Sequence, residues 1–460
     1  PRPYVRKKAV LALYKLYIKF PQGLRLTFDK LSEKLDDPET SVVSCAVNVI
    51  CELANKNPKN YLSMAPKFFK LLTTSSNNWM LIKIVKLFGS LVPEEPRLAR
   101  KLLDPLATII RNTTAKSLQY ECIYTITTAL PHSRRDDGSE YKNSGAIIAL
   151  CSEYLKEFIE DSDPTLKYLG LVGLIKLMES SPRTVVQHRE NILKCLNDED
   201  VTIRSRALEL LAGIVSKKSL QDLVHHLLEH VKHAEGDYRD EILTKVLYMC
   251  SKDRYGLCQD FAWYTSVLLD LATTQGSKHG PLVADQLIEV SMRVEYVRPY
   301  AVEAMLTLLF DNELVLGQAR SSVTEVLKAA AWIVGEYSDI VSYIANDVEM
   351  EKDEDEEDDD SDAELEGYVI EGPNGDKIKS NWTGALLFAK IISALLSPQA
   401  TNLPWTVQAV YIQSVMKLFS GACVELDADD DIAPIITTIR GNLLRFLQSP
   451  NVEVQERTST

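Results

Sequence analysis

The sequence predicts an all-α fold: an α-solenoid of HEAT- or armadillo-like helix pairs wound into a right-handed curved superhelix, with one disordered acidic insert. Three observations lead there. Apolar residues recur at helical spacing along nearly the whole chain, and one turn pattern returns at intervals of about one helix pair. In addition, 460 residues exceed what one compact core usually organises.

The helical period is clearest at Leu220, Leu223, Val224, Leu227 and Val231, the stripe of an amphipathic helix. About twenty such segments follow one another, joined by short polar turns. Gly and Pro are scarce, at 19 each, where turn-rich β architectures need more. Only EGYVIEGPNGDKI (366–378) reads as strand-like.

The recurring turn appears in LDDPETSVVSCAVNVICEL (35–53), EDSDPTLKYLGLVGLIKLME (160–179) and LNDEDVTIRSRALELLAGIV (196–215). An acidic cluster comes first, then a polar residue, then a long apolar helix. QSPNVEVQERT (448–458) begins the same pattern. Asp163 and Asp198 stand 35 residues apart, one helix pair, and Asp37 and Asp163 stand 126 apart, about three.

In the 163–179 stretch, no charged side chain occurs from Tyr168 to Ile175. A helix packed by its own partner and by two neighbouring units keeps little polar face. Gly170 and Gly173 are expected to admit a neighbouring helix at close range, at about 1 kcal/mol each in helix propensity. Asp163 is expected to cap the helix, with Pro164 at the first helical position.

Two stretches interrupt the pattern. PHSRRDDGSEY (131–141) reads as a polar loop, and 346–380 as an acidic, largely disordered insert. The expected organisation is a trunk over 1–345, the insert over 346–380, and a continuation of the solenoid over 381–460. Both chain ends cut into helical pattern, so truncation at each end is expected.

The net charge is −14, but 349–366 alone holds 13 acidic residues and one lysine, leaving the rest near neutrality. No pervasive basic face exists of the kind duplex nucleic acid demands, so no nucleic-acid partner is expected. Eight cysteines lie mostly in apolar helical runs without a C-x-x-C pair, which suits a reducing compartment. The longest wholly apolar run, about eight residues, falls short of the ~20 that span a bilayer. No leader-like segment is read at the start.

Enzymatic motifs are few. His226-Leu-Leu-Glu-His230 matches an inverted zinc-peptidase pattern, with His233 on the same flank. The opposite stripe, Leu220 to Val231, leaves these histidines on an ordinary exposed side, and no further metal-like cluster accompanies them. His226, His230 and His233 are therefore rejected as ligands, and no cofactor or metal is expected. GPNGDK (372–377) lacks the GK[ST] ending of a phosphate loop and reads as a turn. The basic clusters Arg6-Lys7-Lys8, Arg134-Arg135 and Lys217-Lys218 read as solvated helix ends rather than lipid sites. Ser361, in acidic surroundings, is a candidate for an acid-directed kinase. The acidic run itself reads first as a solvated spacer, with docking into a basic groove as the other possibility.

Three stretches resemble the large subunits of clathrin-type adaptor complexes, the adaptins: VRKKAVLALYKLY (5–17), KSLQYECIYTI (116–126) and AAAWIVGEYSD (329–339). DEDVTIRSRALELLAGIVSKKSL (198–220) and QLIEVSMRVEYVRPYAVEAM (286–305), with the acidic insert, are similar to the delta class of adaptor complex three. The resemblance implies a cytoplasmic coat component, peripheral on Golgi and endosomal membranes, that serves traffic to lysosomes or vacuoles. The implied partners are a small, a medium and a second large subunit, an Arf-family GTPase, the membrane surface and, indirectly, sorting-signal cargo. No residue role is carried over from the family. The alternatives are an importin-β-like transport receptor, another helical-repeat scaffold, or an enzyme through His226, Glu229 and His230.

Overall fold

The computed structural model describes residues 2–133, 143–273, 278–311, 321–341, 368–371, 377–380, 384–426 and 429–459. They fall into two compact units, Pro1–Val215 and Ser216–Thr460.

Unit 1 contains α1 (Pro3–Lys19), α2 (Gln22–Glu33), α3 (Thr40–Ala54), α4 (Ala65–Thr74), α5 (Asn78–Leu91), α6 (Arg97–Asn112), α7 (Lys116–Ala129), α8 (Ser144–Glu160), α9 (Pro164–Ser180), α10 (Pro182–Val186), α11 (Arg189–Cys195) and α12 (Val201–Ile214). Helices α1, α3, α5, α7, α9 and α12 pack in succession as one layer, here the A layer. The intervening helices back them as a B layer, each against a sequence neighbour. This is the stacked helix-pair solenoid that the periodicity predicts.

Helix α9 shows how the pattern works. The Asp163 carboxylate accepts the Thr165 N–H at 2.8 Å, and Pro164 sits in the first turn. A Cβ at Gly173 would lie 2.3 Å from Leu155 Cδ2, and one at Gly170 2.8 Å from Ile159 Cγ1, so both glycines let α8 approach. The helix is not buried all round, however. Gly170, Leu171, Gly173, Leu174 and Leu177 are buried, while Tyr168, Val172 and Ile175 are half-buried. α7 and α12 flank the helix and α8 backs it, which leaves one side open.

The repeat register also differs from the one read in sequence. The residue equivalent to Asp163 is Asp200, which caps α12 by accepting the Thr202 N–H at 2.8 Å. Asp198 instead matches Asp161 and Asp37. Each stands two residues before a helix-capping position and accepts a backbone N–H there, at 3.0–3.1 Å. Two of these acids also reach back to the preceding A helix. Arg6 clasps Asp37 through two bonds of 2.9 Å, and Lys167 donates to Asp198 at 3.0 Å. Both bases sit four residues past their own helix cap. Where glutamine holds that position, it ties down its own lead-in turn: Gln119 donates to the Thr113 carbonyl at 2.8 Å.

Unit 2 contains α13 (Leu220–Val231), α14 (Gly236–Tyr255), α15 (Phe261–Thr273), α16 (Gly280–Arg293), α17 (Arg298–Phe310), α18 (Ser321–Glu336), α19 (Gly384–Leu395), α20 (Trp405–Glu425), α21 (Asp429–Leu447) and α22 (Val452–Ser459). Here α16, α18, α20 and α22 form the successive layer. The turn before α22 keeps the pattern, because Asn451 accepts the Glu453 N–H at 2.9 Å and Gln455 donates to the Ser449 carbonyl at 2.7 Å. The strand-like stretch forms β1 (Tyr368–Glu371) and β2 (Lys377–Ser380), antiparallel, with Tyr368 opposite Ser380. The rest of the 346–380 segment lies outside the described residues.

Unit 2 departs from regularity at two places. Near the end of α14, Asp253, Arg254 and Tyr255 all adopt left-handed backbone, with φ of 53°, 56° and 62°. Such residues cost about 1–2 kcal/mol each. The Tyr255 hydroxyl, which donates to Glu289 at 2.9 Å, anchors the turn. The second place is the crossing of α18 and α20, 79 positions apart at Gly335 and Ser414. A Cβ at Gly335 would lie 2.9 Å from Ser414 Cα, and one at Gly421 2.8 Å from Ser338 Oγ. Around this close crossing, Glu336 pairs with Lys417, which also sits 6.0 Å over the Trp332 ring. Tyr337 donates to the Ser291 carbonyl at 3.0 Å and lies 5.0 Å beneath the Arg298 guanidinium. The stretch AAAWIVGEYSD thus joins three successive helices.

Helix α20 has 21 residues and is apolar along most of its length, so by length and composition it could cross a bilayer. The sequence reading, based on wholly apolar runs, did not single it out. Val407, Ile412, Val415 and Leu418 are buried where it packs on α18, α19 and α22, which makes it a core helix of the unit.

Candidate partner-binding face

The open side of the A layer in unit 1 is built from positions three or four residues apart on each helix, which share one face. On α3 this face carries Glu52, on α5 Trp79, Lys83 and Lys86, and on α7 Tyr120, Glu121 and Tyr124. On α9 it carries Tyr168, Val172, Lys176 and Glu179, and on α12 Arg206 and Glu209.

These side chains form a row in two linked parts, one across α3, α5 and α7 and one across α9 and α12. Lys83 pairs with Glu52 at 2.7 Å and Lys86 with Glu121 at 3.4 Å. The Tyr120 and Tyr124 rings lie 6.3 Å apart. The Arg206 guanidinium sits 5.9 Å over the Tyr168 ring and bonds Glu209 at 2.6 Å. Lys176 and Glu179 pair along α9 at 2.5 Å.

Burial pushes the Glu121 carboxyl up against the opposing pull of Lys86 and Lys83. Burial, with Glu121, Tyr124 and Tyr168 nearby, pushes the Tyr120 phenol up to about 12. Both groups are thus semi-desolvated before any partner arrives. Trp79 is 81% exposed and Tyr124 40% exposed. Exposed aromatics on a rigid helical layer are the residue types enriched at protein interfaces.

The histidines considered from the sequence belong to unit 2 and do not gather around one point. His226 and His233 are exposed on and just after α13. His230 turns to Tyr238, with Nε2 3.4 Å from the hydroxyl, and Glu229 faces His225 Nε2 at 3.4 Å instead of His226. Among the described residues, no group of three His, Cys, Asp or Glu side chains is placed to hold a metal ion. Ser361, Arg134 and Arg135 lie outside the described residues. Arg6 is engaged by Asp37, and Lys217 and Lys218 are exposed in the turn before α13.

None of the paired residues on the face was singled out from the sequence as a site, although Tyr120, Glu121 and Tyr124 lie inside the KSLQYECIYTI stretch. The available signal was the polar or aromatic residue recurring at three- and four-residue spacing within otherwise apolar helices. Which of two polar sides stays open is not written in that spacing.

Layered helix pairs with an open polar and aromatic face define a helical-repeat scaffold. More narrowly, the sequence matches the family described as the adaptin N terminal region over residues 1–460, and the chain belongs to that family. It is 43% identical over 463 residues to the AP-3 complex subunit delta-1 of Bos taurus, covering 100% of this chain and 34% of that protein. It is 41% identical over 429 residues to the AP-3 complex subunit delta of Dictyostelium discoideum, covering 93% of this chain and 33% of that one. The chain therefore spans about a third of the length of these relatives. Its fold is similar to a chain in a homology model of the full-length AP-3 complex in an intermediate open conformation. The TM-score is 0.66 at 26% identity, covering 100% of this chain and 74% of that one. The delta-class resemblance read from the sequence agrees with these relatives, and they favour the adaptor reading over the importin-like one.

Proposed function

We propose that the chain is part of the large delta-class subunit of a vesicle-coat adaptor complex. Its role is structural: it holds companion subunits, small and medium, beside a second large subunit, and it supports cargo sorting from Golgi or endosome to lysosome or vacuole. It works in the cytoplasm, peripheral on those membranes, with an Arf-family GTPase as recruiter. The observation that carries this reading is the match to delta subunits across the whole chain, joined to an open face on a repeat layer. Solenoid units contact mainly their neighbours, so the layer offers a long surface without needing a closed core. The companion subunit is assigned to the A-layer face of unit 1. A permanent interface there would bury ~2,000 Å² or more.

The test is coexpression. The 460-residue chain produced alone should be poorly soluble, and coexpression with the small subunit should rescue it. Identification of copurifying proteins by mass spectrometry should return adaptor subunits. A stable, monodisperse chain that retains none of them would refute the proposal.

A further inference from the structure

We infer that the outward stripe of α1, formed by Lys8, Lys15 and Lys19, is a contact for the headgroup layer of an anionic lipid membrane. The inference deepens the membrane-peripheral reading just proposed and rests on it.

Helix α1 sorts its cations by task. Residues 1–28 hold seven Lys and Arg and no acid, in a chain whose net charge is −14. Arg6 turns inward and clasps Asp37 through two bonds of 2.9 Å. Lys8, Lys15 and Lys19 recur at i, i+7 and i+11, which puts them on one stripe about 16 Å long. All three are exposed, on the side of α1 opposite the buried Val10 and Tyr17. Tyr4 begins the stripe, 68% exposed, with Lys8 Nζ 5.5 Å over its ring. Among the described residues, no carboxylate pairs with Lys8, Lys15 or Lys19. The nearby acids are engaged elsewhere: Asp37 and Glu39 act on Arg6, Asp36 pairs with Lys67 and Glu52 with Lys83. Helix α2 carries Arg25 and Lys30 against Asp29 and Glu33, so it cancels none of the stripe's charge.

Residue type and layout point to lipid rather than to an acidic protein. A single carboxylate or phosphate is best gripped by the planar fork of arginine, as Arg6 grips Asp37. The stripe is instead all lysine, compact point charges on flexible stems, strung along a helix side rather than converging on one point. That suits a continuous anionic surface, where each lysine near the headgroups adds its own attraction. An exposed tyrosine at the end of such a side matches the aromatic residues found at headgroup depth. The face assigned to the companion subunit begins at Glu52 on α3, so α1 borders that face without being part of it.

The test uses the chain copurified with its companion subunits and sedimented with vesicles. Phosphatidylcholine vesicles with about 30% phosphatidylserine should carry the complex down, and phosphatidylcholine alone should not. Raising NaCl from about 0.1 to about 0.5 M should cut the affinity by at least about tenfold. The triple change Lys8→Gln, Lys15→Gln and Lys19→Gln should cut it by about a hundredfold, about fivefold for each lysine. Lys101→Gln, Arg111→Gln and Lys194→Gln together remove the same charge from exposed positions of the B layer. That control should change the affinity by less than about threefold, because charges far from the headgroups are screened. Circular dichroism checks that both triple variants fold. No binding of the phosphatidylserine vesicles, binding that survives the stripe triple, or equal losses from the two triples would overturn the inference. So would stripe-dependent binding of a soluble polyglutamate peptide by a complex that ignores the vesicles. Failure of any companion to copurify with the unsubstituted chain would instead remove the proposed function, and this inference with it.

Discussion

Two glycine-mediated helix contacts, one in each unit, look alike and are built differently. In unit 1, α9 meets α8, the helix just before it in sequence. Gly173 there faces Leu155 Cδ2, the end of a side chain that can rotate. In unit 2, α18 meets α20, with 342–383 and all of α19 between them in sequence. Gly335 there faces the Cα, Cβ and Oγ of Ser414. The first contact is local and yielding. The second joins distant stretches through backbone that cannot move without moving a helix. The difference teaches that a long insertion can interrupt the sequence of a repeat array without interrupting its packing, provided the helices on either side are fixed by a close contact.

The same substitution at both glycines tests this directly. Gly335→Ala should destabilise unit 2 by about 2–3 kcal/mol, as overpacking against backbone does. Gly173→Ala should cost about 1 kcal/mol, because Leu155 can shift and alanine recovers about 1 kcal/mol of helix propensity. Urea denaturation read by helical circular dichroism measures both, and equal losses would break the comparison.

A second contrast lies between the regular turns of unit 1 and the left-handed turn of unit 2. Burial alone would raise the Asp198 carboxyl, but the Asp200 N–H and Lys167 outweigh it and hold the group below its ordinary range. A lowered folded value contributes stability that is present above the unfolded value and fades as pH falls through the folded one. Asp198→Asn should therefore cost about 1 kcal/mol at neutral pH. It should also flatten the loss of stability seen below about pH 4. The unsubstituted and substituted proteins should converge in acid, and persistence of the gap there would contradict the assignment.

Arg254→Gly should act in the opposite sense, raising stability by about 0.5–1 kcal/mol, because glycine adopts φ of 56° without strain but is freer when unfolded. A loss would mean that the Arg254 side chain contributes more than its backbone costs. The smallest effect is expected from deleting 351–364. The melting temperature should change by less than about 2 °C, since loop length enters closure entropy only logarithmically. A drop of many degrees would show that the acidic run is docked.

Much of the fold was legible because it is written locally. The Leu220–Val231 stripe names the residues that α13 buries, and Asp163 with Pro164 marks where α9 begins. The register slipped by two residues at α12 because LNDEDV offers three acids, and only the chain's path shows that Asp200 caps while Asp198 reaches Lys167. The open side of α9 was misjudged for a related reason. Apolar composition fixes how much of a helix prefers burial, not how many neighbours arrive to bury it.

The sequence by itself determined the helices, their pairing and the family, because helix period, caps and small residues act within a few turns of chain. Only the tertiary structure decided which side of each A-layer helix stays open, and that Glu52, Lys83, Lys86 and Glu121 meet in one row. It also decided that Gly335 answers Ser414 across the insert. Those outcomes depend on the stacking of units, in which residues distant in the chain share one surface, and no local spacing records which of them will meet.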